Sequence, residues 1–202
     1  MSSERGRPGG KAPRPAGHPP SAARLAEAAA AHLARFAATE AGLKRVLARR
    51  IDRWARAAEA EGQPDVPRRA AEAKSAIAEV AQRLVAGGAV DDAAFAESRA
   101  RRLLRTGRSR RATLAHLREK GVDATTAAAA LPEGEAVEIT AALAFCRRRR
   151  IGPFGPPEPP PEARLKALAA LARAGFGRDV AGRALRMAPD EAEVRLIAAR
   201  QG

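Results

Sequence analysis

The chain has 202 residues, with 37 Lys and Arg against 23 Asp and Glu, for a formal net charge of +14 at pH 7. That balance favours a polyanionic partner (nucleic acid, an acidic protein surface or an anionic membrane) without saying which. Cys146 is the only cysteine, which excludes an intramolecular disulfide, and no apolar run approaches the roughly 20 residues of a membrane span, so the chain is expected in the reducing cytoplasm and not in a membrane.

Alanine, leucine and arginine dominate, and all three are strong helix formers, while β-branched and aromatic residues are scarce; the chain reads as all-α. Residues 1–20 are rich in Pro, Gly and basic residues and are expected to form a disordered basic tail. From Ser21 the spacing turns helical, with Leu25, Ala29, Leu33 and Phe36 on one face. A second helix is expected from Thr39, its N-cap, to about Ala60, and completes repeat 1 over 21–61. Gly62, Pro64 and Pro67 break it, and 62–86 reads as a linker and connecting helix that ends at Gly87-Gly88.

Repeat 2 is expected over 87–132. Asp91 stands as the N-cap of its first helix, Asp92 sits where the helix dipole favours a negative charge, and Val90 and Phe95 hold the positions of a hydrophobic staple. Gly107 stops that helix, and further helices follow over about 109–120 and 123–131. Repeat 3 is expected over 133–188 and a C-terminal extension over 189–202.

The chain writes one stretch twice. "LREKGVDATTAAAAL" begins at Leu117 and "LARAGFGRDVAGRAL" at Leu171. With Gly121 and Gly175 at C′, the pairs Val122/Leu117 and Phe176/Leu171 fall at C″ and C3, the apolar contact of a Schellman stop. A weaker copy is read upstream at Leu33, Ala37, Ala38 and Leu47, with alanine in place of the turn glycine. Such units cannot bury their apolar faces singly, so neighbours stack, and the expected architecture is an elongated array of three tandem three-helix repeats.

Catalytic signals are lacking. His18, His32 and His116 are far apart and match no metal spacing, and no Gly-rich phosphate loop is present; Gly152-Pro153-Phe154-Gly155 reads as a turn. Asp91 and Asp92 read as caps. Cys146 lies beside four arginines, which would lower a thiol pKa, but no base partner is evident, and it reads as a packed helical cysteine. No catalytic, metal or cofactor residue is expected.

The arginines carry more information. Arg101 and Arg105 point away from the core side of their helix, with Arg99 and Arg102 at its flanks, and Arg108, Arg110 and Arg111 continue onto the next turn. Arg147, Arg148, Arg149 and Arg150 form a second cluster at a helix end. Two readings stand: solvated helix faces, or a continuous basic stripe across stacked repeats. Sequence-specific DNA reading is not expected, because the helix after Gly121 is nearly all alanine and threonine; with one Trp and no Tyr, base stacking is poorly supplied as well. Binding to single- or double-stranded DNA would be electrostatic and sequence-blind.

The stretch from Val90 to Leu131, with Asp91-Asp92, Phe95-Ala96, Gly107 and Lys120-Gly121-Val122, resembles the second repeat of the RecX regulatory proteins. "FCRRRRIGPFG…LARAGFGRDVAGRAL" resembles the third repeat and "LARFAATEAGLKRVLARRIDRW" the first, so the resemblance spans about residues 22–190. It implies a non-enzymatic, cofactor-free, monomeric inhibitor of the RecA recombinase that binds the groove of the RecA–single-stranded-DNA filament and reduces ATP hydrolysis and strand exchange. The alternatives are a basic, sequence-nonspecific DNA-binding protein acting without RecA, and an RNA- or ribosome-associated helical protein. The sequence departs from the family pattern in its long N-terminal tail and in the proline-rich insertion Pro153–Ala163.

Overall fold

The computed structural model describes residues 15–201, and every regular element among them is helical. In chain order these are α1 (Ala22–Leu33), α2 (Glu40–Ala60), α3 (Val66–Ala86), α4 (Asp92–Arg105), α5 (Arg110–Lys120), α6 (Ala124–Ala129), α7 (Glu135–Arg149), α8 (Pro161–Arg173), α9 (Arg178–Arg186) and α10 (Pro189–Gln201), with a 3₁₀ turn at Gly152–Phe154. The helices fall into two compact units. One runs to Phe36 and resumes over Leu43–Ala86; the other takes Ala37–Gly42 and the chain from Gly87 onward.

In the first unit, Leu25 and Ala29 of α1 are buried, as are Leu43, Leu47, Ile51, Trp54 and Ala58 along one stripe of α2. The apolar stripe of α1 stops before Phe36, which is 54% exposed because the helix has already ended at Leu33. Segment 62–86, read above as a linker and connecting helix, folds into this unit: α3 packs against α1 and buries Val66, Ala70, Ile77, Val80 and Ala81. Residues 1–14 of the expected tail lie outside the described residues, but the stretch that follows is tied down. Trp54 Nε1–H donates to the Gly17 carbonyl at 3.1 Å, and Ala16 N–H donates to Glu61 Oε1 at 2.7 Å. The Arg69 guanidinium lies 5.1 Å from the Trp54 ring centroid.

The second unit is organised on α7. Ile139 and every residue from Ala141 to Cys146 are buried, so the middle of this helix is apolar nearly all round, and the helix is covered by α4, α9 and α10. The expected C-terminal extension is therefore part of the core, since α10 buries Ala192 and Leu196 in the same cluster. A second cluster joins α4, α5 and α6 through Ala96, Ala100, Leu117, Val122, Ala127 and Leu131.

The helix ends follow local rules. Gly121 N–H donates to Arg118 O at 2.9 Å and Val122 N–H to Leu117 O at 3.1 Å; Gly175 and Phe176 repeat this with Ala172 and Leu171 at 2.9 and 3.1 Å. Both glycines have φ of 94°, the left-handed residue that the Schellman stop demands. Asp91 caps α4 by accepting from Ala94 N–H at 2.9 Å.

One joint appears twice in the second unit. Thr39, buried just before α2, accepts from Gly42 N–H at 2.9 Å and donates its hydroxyl to the Lys120 carbonyl at 2.6 Å. The next amide, Glu40 N–H, donates to Asp92 Oδ1 at 2.8 Å. Ser109, buried just before α5, accepts from Ala112 N–H at 3.2 Å and donates to the Ala174 carbonyl at 2.8 Å. The next amide, Arg110 N–H, donates to Glu138 Oε2 at 2.9 Å. Lys120 and Ala174 each immediately precede a Schellman glycine. A capping hydroxyl thus grips the end of the second helix of the following three-helix group, and a carboxylate from that group's first helix caps the adjacent amide. In the last group Pro160 holds the N-cap position of α8 and offers no hydroxyl.

This pairing resets the register of the upstream copy. The α1–α2 turn matches the α4–α5 turn, not the α5–α6 turn. No left-handed residue occurs among Leu33, Ala37 and Ala38, and Leu47 lies inside the 21-residue α2 rather than on a short helix.

Candidate partner-binding surface

The basic residues singled out from the sequence all lie in the second unit, on α4, the α4–α5 turn, the start of α5 and the end of α7. Arg101, Arg102, Arg105, Arg108, Arg111, Arg148, Arg149 and Arg150 are exposed. Arg101 lies 3.7 Å from Glu97 one turn earlier, a solvent-facing pair that screening makes weak. The two clusters meet: Arg148 Nη1 donates to the Thr106 carbonyl at 2.6 Å, which joins the C-terminal end of α7 to that of α4. Arg148 and Arg149 both lie over the Phe145 ring, 5.7 and 5.5 Å from its centroid. Three arginines in the last turn of α7 and Arg150 at its C-cap also face the negative end of the helix dipole.

Two of the arginines have structural partners. Arg110 is half-buried, and its Nη1 donates to the Leu131 and Pro132 carbonyls at 3.2 and 2.9 Å, closing the end of the α6 segment. Arg99 Nε donates to His116 Nε2 at 3.2 Å. Burial, and then the charges of Arg99, Lys120 and Arg108, hold the His116 pKa below its ordinary value, so the ring accepts this bond as neutral imidazole.

A residue not singled out from the sequence completes the surface. Arg200 of α10 lines one groove with Arg101, Arg105 and Arg147. The signal for it, a lone arginine in the last turn of a helix, has no local mark that separates it from an ordinary solvated residue.

Cys146 is fully buried in α7, and burial pushes its thiol up to about 12, the opposite of what four neighbouring arginines would do to an exposed thiol. The native protein is therefore expected to resist iodoacetamide at mildly alkaline pH and to alkylate rapidly once unfolded in urea, as followed by intact-mass spectrometry. Fast alkylation of the folded chain would show that α7 opens locally. Among the described residues no group of His, Cys, Asp and Glu is placed to hold a metal ion, and no helix is long and apolar enough to cross a membrane.

Residues 91–131, which span α4, α5 and α6, match the family model described as RecX, second three-helix domain. The chain is 38% identical over 160 residues to the regulatory protein RecX of Myxococcus xanthus, covering 78% of this chain and 81% of that one. It is 38% identical over 105 residues to the regulatory protein RecX of Agrobacterium fabrum, covering 52% and 56% of the two chains. The crystal structure of RecX from Lactobacillus salivarius superposes with a TM-score of 0.57 at 16% identity, over 86% of this chain and 97% of that one, and so shares its fold. On the family match, the extent of the Myxococcus relationship and the three-helix groups described above, this chain belongs to the RecX family of regulatory proteins.

Proposed function

We propose that this chain is a non-enzymatic, cytoplasmic regulator of RecA, which binds the RecA–single-stranded-DNA filament as a monomer and lowers its ATP hydrolysis and strand exchange. Family membership supports the choice of partner. The observation that carries the choice of surface is the Arg148–Thr106 bond, which merges two arginine clusters 42 residues apart in sequence into one basic surface on the second unit. A filament groove lined by phosphates and acidic side chains is the kind of target that such a surface fits. The exposed residues Arg101, Arg102, Arg105, Arg108, Arg111 and Arg148–Arg150, with the half-buried Arg147, make the contacts, whereas Arg99 and Arg110 hold the surface in shape.

The test is RecA-catalysed ATP hydrolysis on single-stranded DNA, titrated with this protein far below the amount that saturates the DNA. Inhibition at such ratios, reduced in an Arg101→Ala/Arg105→Ala variant of unchanged helicity, is the expected result. Inhibition only when the DNA is saturated would replace this reading with sequence-nonspecific DNA binding independent of RecA. Salt dependence does not separate the two, because each neutralised phosphate steepens the slope in either case.

A further inference from the structure

The groove shared by Arg101, Arg105, Arg147 and Arg200 differs from the rest of the basic surface in having an apolar floor. It lies between α4, α7 and α10, all within the second unit, and has a volume of about 450 Å³. Leu104, Val137, Ala141, Ala144 and Leu196 line its bottom, and no acidic residue lines it. Arg147 lies 3.8 Å from Glu193, while no carboxylate among the described residues pairs with Arg105 or Arg200.

A nucleic-acid backbone would satisfy the arginines and leave the floor unused. Bases would find no aromatic ring there on which to stack. An acidic protein segment uses both features: carboxylates take the guanidiniums in bidentate pairs, and an aliphatic side chain between them fills the floor. We infer that this groove is the receptor for a short acidic segment of a partner protein, anchored by one aliphatic residue between carboxylates. The inference rests on the reading of the basic surface as the partner-facing one, and it divides that surface in two. The α4–α7–α10 groove holds protein, and the arginines outside it (Arg102, Arg108, Arg148 to Arg150) face phosphate.

The experiment uses the full chain and three fluorescent probes: a short Asp/Glu peptide with one central leucine, the same peptide with serine in its place, and an oligo-dT of similar charge. Fluorescence anisotropy is expected to show the leucine peptide binding about tenfold or more tighter than the serine peptide, the fold-change that burying a leucine side chain corresponds to. An Arg105→Ala/Arg200→Ala variant is expected to lose most of that binding, and so is Ala199→Glu, which places a negative charge on the exposed lip of the groove. Oligo-dT affinity is expected to change little with Ala199→Glu. Equal affinity for the two peptides would overturn the inference. So would oligo-dT that displaces the peptide and loses affinity to the same degree on Ala199→Glu. Because RecA is absent from the assay, a failure of the ATPase prediction leaves this result readable by itself.

Discussion

Replacing Gly107 with alanine is expected to lower the stability of the second unit by about 3 kcal/mol or more, enough to leave much of it unfolded at moderate temperature. Two costs combine. Gly107 has φ of 82°, in the left-handed region where an L side chain is strained by roughly 1–2 kcal/mol. An added Cβ would also lie 2.5 Å from Phe145 N, 2.8 Å from Phe145 Cα and 2.9 Å from the Ala144 carbonyl carbon. These are backbone atoms in the buried middle of α7, and they cannot swing aside as a side-chain tip does. The turn would have to lift off α7, taking with it the Thr106 carbonyl that Arg148 grips. Gly88→Ala is the matched control: its φ is 68°, and nothing lies within 4 Å of the added carbon, so only the backbone strain applies. Urea denaturation followed by helix circular dichroism is expected to shift far more for Gly107→Ala than for Gly88→Ala. Equal shifts would mean that the approach of the turn to α7 is not needed for folding.

Ser109→Ala is expected to cost about 2–3 kcal/mol, against well under 1 kcal/mol for Ser21→Ala. Both serines are N-caps, but their surroundings differ. Ser21 is exposed, and its oxygen accepts one long bond of 3.4 Å from Arg24 N–H. Ser109 is fully buried and serves two partners, so its loss orphans both the Ala112 amide and the Ala174 carbonyl inside a packed joint. The joint cannot close up around the gap, because Glu138 still holds the Arg110 amide beside it. The Glu138 carboxyl is itself pushed above its usual range by burial, against the opposing pull of the Arg110 amide and charge, so this acceptor is held in place at some cost. The urea midpoint measures the difference, and equal shifts for the two alanine variants would mean that the bond to Ala174 contributes nothing net. Gly175 is expected to tolerate no side chain for the same reason, since a Cβ there would lie 2.6 Å from Ser109 Oγ.

A basic helical surface built on such joints separates two tasks that the arginine-rich composition blurs. Arg110 and Arg99 spend their hydrogen bonds on carbonyls and on an imidazole inside the unit. Arg105 and Arg200 stand over an apolar floor without a carboxylate partner among the described residues. Substituting the first pair is expected to act through stability, and substituting the second through binding alone.

Much of this was legible in the residues because it is local. A Schellman stop needs a glycine and two apolar residues within six positions, and an N-cap needs one side chain within three, so Gly121, Gly175, Asp91 and the all-helical character followed from short windows. The family resemblance rested on the same windows. What joins distant residues left no such trace. The carbonyls gripped by Thr39 and Ser109 lie 81 and 65 residues away, and any buried hydroxyl at an N-cap looks alike in sequence whether or not a carbonyl waits beyond it. For that reason apolar spacing by itself places the upstream copy one helix out of register. The same holds for α3 and α10, whose apolar residues show that they bury a face but not against what. Arginine is the hardest case: a long side chain with a fixed charge suits a solvated face, a buried carbonyl and a partner's carboxylate equally well. Only the packing of α4, α7 and α10 around one groove separates Arg105 and Arg200 from Arg110.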